Sequence, residues 1–344
     1  MSSRAELLIA LLSLLLLPAT GQLLHLGAAI NIFSRYGYLS ISMRVVPRND
    51  TDTTWIFREP TVDIFKNSSL HPAPLSMKEL NQPKPIFTGD FHMEFCDNLK
   101  QLLQAYFRDF SVEKLDRPWR AFTGSWGRGT IARHLGINST YLISPNCYVL
   151  IRVARHREKA RLSLQDEEPE LDDAVAREAD SVRVGDTASV VNFIRSFGSH
   201  YIASYVTGNS LYQVFVYSQE VYRSLKQKMK ERGVAALSNS ELSSYFSPWY
   251  AEHIGRIKSA SGNATVEAWA VQYLRVHYYF FTYPSLLKLH GDASLLKTLN
   301  ELLGNEALLQ LDLRTLVPAF KDPDKRLWFQ DVVDNYLKLW EVNM

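Results

Sequence analysis

The sequence contains little cysteine and no excess of charge, and each shortage excludes a class of protein. Only two cysteines, Cys96 and Cys147, occur among its 344 residues. This number leaves no room for a disulfide-dense module or for a Cys–His zinc cluster. The formal net charge is only +2, so we expect no general attraction to nucleic acid. We also expect no metal ion and no other cofactor.

Sequence patterns of catalytic sites are missing as well. The chain has no Gly-x-Ser-x-Gly and no His-Glu-x-x-His pattern. A glycine-rich segment, residues 124–130, lacks the lysine of a phosphate-binding loop. Ser199 and His200 are neighbours in a predicted strand, where adjacent side chains point to opposite faces. We therefore expect that they do not form a nucleophile–base pair and that the protein is not an enzyme.

The N-terminus has the three-part pattern of a secretory signal peptide. Arg4 precedes an apolar run at residues 7–17, which Pro18 ends before small residues lead to Gly21. The alternative is a transmembrane anchor, but an eleven-residue helix spans only about 16 Å, roughly half the thickness of a bilayer core. Residues 1–21 are therefore predicted to be a signal peptide that is cleaved after Gly21, and the mature protein is predicted to be secreted.

Glycosylation sequons and the two cysteines agree with that route. The four sequons have the form Asn-x-Ser or Asn-x-Thr and begin at Asn49, Asn67, Asn138 and Asn263. In an oxidising compartment the simplest interpretation of Cys96 and Cys147 is one disulfide bond. The alternative is a pair of buried free thiols.

Periodicity predicts a mixture of long strands and helices. Strands rich in β-branched and aromatic residues are predicted at residues 30–46, 147–155, 199–217 and 265–281. Helices are predicted at residues 91–110, 187–197, 219–232, 286–303 and 325–340. The last two, at residues 199–217 and 265–281, are much longer than a usual strand of about five or six residues. This length favours one large bent sheet over a sandwich of short strands.

One short motif stands at the predicted junction between a helix and a long strand. Its residues are Phe197, Gly198, Ser199, His200, Tyr201 and Gly208. The motif resembles the signature of the membrane attack complex/perforin (MACPF) family: aromatic, Gly, Thr or Ser, His, aromatic and, after six intervening residues, two glycines. Asn209 stands in place of the second glycine.

The resemblance implies an α+β fold in which the signature is structural. The expected MACPF domain covers residues 22–284 and contains a bent and twisted four-stranded antiparallel sheet flanked by helical clusters. Residues 285–344 are expected to be a helical C-terminal extension packed on it.

The resemblance also implies a role and partners. It extends most closely to a secreted insect member of the family that acts as an extracellular cue in embryonic terminal patterning. That member permits local activation of a receptor tyrosine kinase. The implied partners are the egg coat or the ligand–receptor system, and a peripheral membrane surface. The implied location is the vitelline membrane, the perivitelline space or the outer cell surface. The alternative role is that of a pore-forming or membrane-perturbing immune effector.

Charge in two predicted inserts argues against a pore, because a transmembrane hairpin needs apolar residues along one face. The first insert, residues 156–185, carries the acidic residues Asp166, Glu167, Glu168, Asp172 and Asp173. The second, residues 218–262, carries the basic residues Lys226, Lys228, Lys230 and Arg232. Each group is a candidate partner surface, and the plainer alternative for each is a solvated face.

Overall fold

The computed structural model describes residues 22–33, 46–47, 55–57, 61–66, 70, 87, 89–124, 126–162, 170–233 and 236–343. The predicted signal peptide and most of the strand predicted at residues 30–46 lie outside the described residues.

The described strands and helices alternate along the chain. The strands are β1 (Gln22–Leu23), β2 (Ala28–Ile30), β3 (Val46–Pro47), β4 (Trp55–Phe57), β5 (Val62–Asp63), β6 (Gly89–Cys96), β7 (Phe110–Val112), β8 (Cys147–Arg161), β9 (His200–Tyr217), β10 (His253–Ile254), β11 (Lys258–Ser259), β12 (Arg275–Tyr278), β13 (Phe281–Pro284) and β14 (Ala307–Thr315). The α-helices are α1 (Leu99–Tyr106), α2 (Pro118–Thr123), α3 (Arg128–Leu135), α4 (Asp173–Ser181), α5 (Thr187–Phe197), α6 (Gln219–Arg232), α7 (Asn239–Tyr245), α8 (Ala264–Tyr273), α9 (Ala293–Leu302) and α10 (Pro323–Asn343).

A four-stranded antiparallel core, in the order β6–β8–β9–β14, is the centre of the molecule. The long strands β8 and β9 pair from Cys147 opposite Tyr217 at one end to Arg161 opposite Ser204 at the other. Register shifts interrupt the β8–β9 and β9–β14 ladders, and such bulges bend strands. The α+β class and the four-stranded antiparallel sheet are confirmed.

Short strands extend this core. β2 pairs with the first residues of β9, and β5 pairs with β2. β10 and β11 pair with the second half of β9, while β7 adds a parallel partner to β14. β9 is therefore the strand on which the N-terminal, central and C-terminal parts of the chain meet.

Both faces of the central strands are buried, as the sequence of β8 predicts. Val149, Ile151 and Val153 pack on one side of the sheet, and Tyr148 and Leu150 pack on the other. Helices α1, α5 and α10 contribute to the second side, and α6, α8 and α9 cover the first. This arrangement explains why β8 and β9 are rich in β-branched and aromatic residues over most of their length.

Helix ends follow local chemistry. The Asp186 carboxylate accepts hydrogen bonds from the N–H groups of Ala188 and Ser189 at the start of α5. Gly233 ends α6 with a positive φ of 75°. The predictions of α5, α6 and α10 are confirmed.

The strand predicted at residues 265–281 is wrong. Its first part is helix α8, which Asn263 caps by accepting hydrogen bonds from Thr265 N and Val266 N. Its second part is β12, which pairs with β13 in a hairpin. The alternation of apolar residues in this stretch does not distinguish a strand from a helix. The reason is that α8 is apolar on several sides, and a run of ten such residues suits either a helix or a strand.

The helix predicted at residues 91–110 is also partly wrong. Residues 89–96 form β6, which pairs with β8, and only residues 99–106 are helical. Asn98 caps this helix through Gln101 N at 3.0 Å. The spacing of Phe95, Leu99 and Leu102 suggests one helix, but the pairing of residues 89–96 with β8 overrides that local pattern.

The C-terminal region is not a purely helical extension. Residues 307–315 form β14, which lies beside β9 in the core of the sheet. A boundary at residue 284 therefore separates strands of one sheet. Residues 286–303 form a short 3-10 helix followed by α9, not a single helix.

Candidate functional site

The signature motif forms the turn that joins α5 to β9. Gly198 ends α5 with φ 93° and ψ 179°, a backbone region open almost only to glycine. A Cβ at this position would stand 2.9 Å from the carbonyl carbon and oxygen of Ile30. The turn therefore needs glycine both for its own conformation and for the close approach of β2.

Ser199 hydrogen-bonds this turn to an N-terminal and to a C-terminal segment of the chain. Its N–H donates to Ile30 O at 3.0 Å, and its hydroxyl accepts from Ile32 N at 3.2 Å. Its carbonyl accepts from Leu316 N at 3.0 Å, just beyond β14. These bonds join the N-terminal strand, the motif and the C-terminal strand.

His200 lies beside Ser199 and is closed to solvent. Its Nδ1 is 3.0 Å from Ser199 Oγ, so the expectation that the two side chains diverge is wrong. The reason is that β9 begins at His200, and strand alternation does not extend back to Ser199. Both residues have a relative exposure of 0%. Burial lowers the pKa of His200 to about 4, against a smaller raising effect of a Glu113 backbone hydrogen bond. The ring is therefore neutral at physiological pH.

The second half of the motif is equally buried. A Cβ on Gly208 would stand 2.0 Å from Arg155 O of the neighbouring strand, so this position also needs glycine. Asn209, which replaces the second glycine, donates from Nδ2 to Ser261 Oγ at 2.9 Å and to Glu306 Oε2 at 2.8 Å. Its Oδ1 accepts from the Ser259 hydroxyl at 3.1 Å. The side chain thus joins β9, β11 and the segment before β14, a contact that the sequence did not reveal.

The predicted disulfide is contradicted. Cys96 and Cys147 are both buried and free. Cys96 lies opposite Tyr148 in the β6–β8 ladder, one position away from Cys147. Neighbouring positions face opposite sides of a sheet, and the two cysteines accordingly belong to the cores on the two sides. The alternative of two buried free thiols therefore describes the structure, and burial raises the pKa of the Cys96 thiol to about 12.

Two of the four sequons fall on described residues. Asn138 is exposed, and its Oδ1 accepts from Thr140 N at 3.1 Å. Asn263 is partly exposed and caps α8. Asn49 and Asn67 lie outside the described residues.

The predicted acidic surface is only partly described, since Asp166, Glu167 and Glu168 lie outside the described residues. Asp172 caps α4 by accepting from Ala174 N at 2.9 Å. Asp173 lies 3.1 Å from Lys66 Nζ. Both carboxylates therefore have structural partners within the chain.

The predicted basic surface is spread around α6. Lys226 Nζ lies 2.7 Å from Asp97 Oδ1, and Arg232 Nη1 lies 2.5 Å from Glu241 Oε1. Lys228 stands over the ring of Tyr245 at 5.0 Å, and Lys230 is exposed. Two of the four charges are thus compensated, which favours the interpretation of a solvated helix face.

The two predicted inserts leave the sheet at opposite ends. The first follows β8 at Arg161, whereas the second follows β9 at Tyr217, which lies opposite Cys147. Two hairpins that enter one bilayer side by side must leave the same end of a sheet. The segment that shares an end with the second insert is residues 97–146, which contains α1, α2, α3 and β7. The pairing of inserts assumed from the sequence is therefore wrong.

An exposed aromatic hairpin is the surface that sequence reasoning missed. Tyr279 and Phe280 form the turn between β12 and β13 and are 82% and 99% exposed. Tyr279 has a positive φ of 50°, which is rare for a bulky residue. The signal is the run of aromatic residues at 278–281, which forms the end of the strand predicted at residues 265–281.

The hairpin is firmly attached below its tip. Tyr278 OH lies 2.9 Å from Ser244 Oγ, and Tyr283 OH donates to Ser243 O at 2.9 Å. At the base, buried Gln213 donates from Nε2 to Pro284 O at 2.9 Å. The tip is therefore an exposed apolar point on an anchored support. Residues 268–291 contain no acidic side chain, while Arg275 and Lys288 are exposed.

Within the described part of the chain, no helix combines the length and the apolar character that are needed to cross a bilayer. The same residues contain no group of three or more histidine, cysteine or acidic side chains placed to hold a metal ion.

Comparisons with known proteins find likeness only among solved structures. No family model matches the sequence, and no curated protein does. GNIP1Aa from Chromobacterium piscinae has a TM-score of 0.46 at 12% identity, over 92% of this chain and 57% of that one. A cell invasion protein with a MAC/Perforin domain from Bacteroides thetaiotaomicron has a TM-score of 0.40 at 11% identity, over 90% and 59%. Vertebrate astrotactin-2, described as perforin-like, has a TM-score of 0.35 at 14% identity, over 86% and 97%. This chain thus spans less than two thirds of the first two structures, and no activity is carried over from any of them.

Proposed function

We propose that the protein is a secreted MACPF-domain protein that acts by binding, without catalysis and without forming a pore. The signature motif supports the MACPF assignment, because its residues occupy a helix-to-strand junction and the long strand that follows, and Gly198 and Gly208 have no room for a Cβ. Ser199 and His200 are within hydrogen-bond distance, but both are closed to solvent. A substrate has no access to this pair, which favours a structural role.

The exposure of the aromatic hairpin tip is the observation that supports a binding function. A residue such as Phe280, 99% exposed at the end of an anchored hairpin, contributes nothing to the core of this chain. Exposed apolar groups of this kind mark contact sites for other molecules. The exposed cations Arg275 and Lys288 on the same segment favour an anionic partner or surface.

By resemblance to the insect protein Torso-like, the proposed role is that of an extracellular cue for embryonic terminal patterning. In this role the protein acts outside the cell, at the egg coat or at a membrane surface. There it permits local activation of the receptor tyrosine kinase Torso by its ligand. The hairpin tip is the surface that we assign to this contact.

The role is tested by rescue of terminal patterning in mutant embryos with the Tyr279→Ser, Phe280→Ser double variant. We expect normal secretion and loss of rescue. The matched control is Ile143→Ser, Val342→Ser, which removes two exposed apolar side chains elsewhere and should rescue fully. Full rescue by the hairpin variant would show that the tip is not the working surface. Failure of the unmodified protein to rescue would instead refute the patterning role.

The immune pore-forming alternative is tested separately with dye-loaded vesicles. The helices and charges of residues 97–146 and 218–262 conflict with the alternation of a transmembrane hairpin. We therefore expect no dye release at micromolar protein. Strong release without detergent would make the pore former the leading function.

A further inference from the structure

A basic cavity lies between helix α3 and the segment that links β10 to β11. Its volume is about 450 Å³ and its walls include Arg133, Asn138, His253, Arg256 and Lys258. This volume is typical of small-ligand sites. No residue of the hairpin tip lines the cavity, and the proposal rests on the proposed function only in taking the protein to be secreted.

The charges around the cavity are mostly uncompensated. Lys258 Nζ lies 2.7 Å from Glu267 Oε2. Among the described residues, no carboxylate oxygen lies within 4.0 Å of the Arg133 or Arg256 guanidinium. None of the residues that line the cavity is acidic. Two arginines that share a cavity without a counter-charge repel each other, and a bound anion removes that repulsion.

The positive charges around the cavity also lower the pKa of two neighbouring histidines. Burial lowers the pKa of His253, and the charge of Arg256 lowers it further. Burial also lowers the pKa of His134, again with contributions from cations, Arg133 and Lys258. Both rings are therefore biased towards the neutral form beside the cavity.

The cavity is built on fixed elements. Arg256 N donates to Gly136 O at 2.8 Å, which ties the β10–β11 link to the end of α3. The His253 ring stacks on Tyr141 with centroids 4.7 Å apart. His253 Nε2 is buried without a hydrogen-bond partner in the described part of the chain.

We propose that this cavity binds a tetrahedral oxyanion, namely a sulfate or phosphate group carried by an extracellular glycan or present as a free ion. Arg133 and Arg256 approach from two different elements, and the guanidinium fork matches the oxygens of sulfate and phosphate. Lys258 contributes a point charge that is shared with Glu267. For a secreted protein, sulfate esters of matrix polysaccharides are the abundant source of this chemistry.

The test is calorimetric titration of the secreted full chain carrying Thr140→Ala, which removes the sequon at Asn138 so that no N-linked sugar enters the cavity that this residue lines. The probes are a heparin-derived hexasaccharide, its desulfated form and inorganic phosphate. We expect the sulfated hexasaccharide to bind and the desulfated form not to bind. The Arg133→Gln, Arg256→Gln variant should weaken binding by about tenfold or more, since hydrogen bonds to charged groups are strong. Binding of inorganic phosphate with equal sensitivity to this variant would assign the site to a free ion.

The matched control is Arg195→Gln, Arg223→Gln, which removes the same charge at exposed positions outside the cavity. This control should retain nearly full affinity. Equal losses in the two double variants would show general charge attraction and would overturn the site. The absence of binding by both the hexasaccharide and phosphate would overturn it as well.

Discussion

The signature glycine Gly198 provides the sharpest test of the fold, through its replacement by alanine. Backbone with φ 93° and ψ 179° costs an ordinary residue about 1–3 kcal/mol. The added Cβ would also lie 2.9 Å from the Ile30 backbone, and relief of such overlap costs about 1–3 kcal/mol more. We expect Gly198→Ala to lower the free energy of unfolding by about 3 kcal/mol, and Tm by about 6 °C or more. Urea and thermal unfolding of the purified protein measure both quantities.

Two other glycines separate the contributions. Gly185 has φ 86°, but a Cβ there would stand in open space. Gly185→Ala should therefore lower the free energy of unfolding only through its unfavourable backbone conformation, by about 1–2 kcal/mol. Gly129 lies in helix α3, also in open space, and Gly129→Ala should stabilise by up to about 1 kcal/mol. If Gly198→Ala proves no more destabilising than Gly185→Ala, the close approach of β2 is not what the motif protects.

The remaining predictions concern buried polar groups, thiols and the hairpin. His200 has a pKa of about 4 when folded and an ordinary value of 6.5, so the unfolded chain binds its proton first. The stability that depends on a neutral His200 is therefore fully present above pH 6.5 and is lost as the pH falls towards 4, by up to about 3 kcal/mol. His200→Gln should flatten this part of the curve of unfolding free energy against pH. An unchanged slope would refute the burial of His200. Asn209→Ala leaves the partners Glu306 and Ser261 without this amide and should cost about 2 kcal/mol, as measured by urea unfolding; a change below about 0.5 kcal/mol would show that water replaces the network. Both cysteines should react with a thiol reagent only after denaturation without reductant, and a failure to label would restore the disulfide. Phe280→Ser should leave Tm within about 1 °C, because surface changes usually stay within about 0.5 kcal/mol, whereas a large drop would show that the tip packs within the fold.

Several elements were predictable because their signals are local or very long. Asp186 and Gly198 bound α5 by capping chemistry that needs no tertiary contact. β8 and β9 bury both faces over much of their length, so their composition alone indicates strands. The signature residues were located for the same reason, since a helix end followed directly by a strand has a short, local pattern.

Other elements can be assigned only when the strands with which they pair are known. β14 alternates Leu309, Leu311 and Leu313 with polar residues over a short run, and its ladder with β9 decides that this run is a strand. The segment that became β6 carries the spacing of a helix, and only its ladder with β8 decides otherwise. The aromatic turn at Tyr279 and Phe280 was hidden inside a stretch whose alternation suited a strand.

The sequence alone determined the composition class, β9 and the first part of β8, the capped helices and the position of the signature turn, because these depend on neighbours within a few residues. Tertiary structure decided the rest, because those features depend on register. A shift of one position sends a side chain to the other face of a sheet, and for this reason Cys96 and Cys147 lie near each other in the ladder yet in different cores. Register between β8 and β9 likewise sets which inserts leave the same end of the sheet. The contact between α3 and the β10–β11 link brings Arg133 and Arg256 into one cavity across more than a hundred residues of chain.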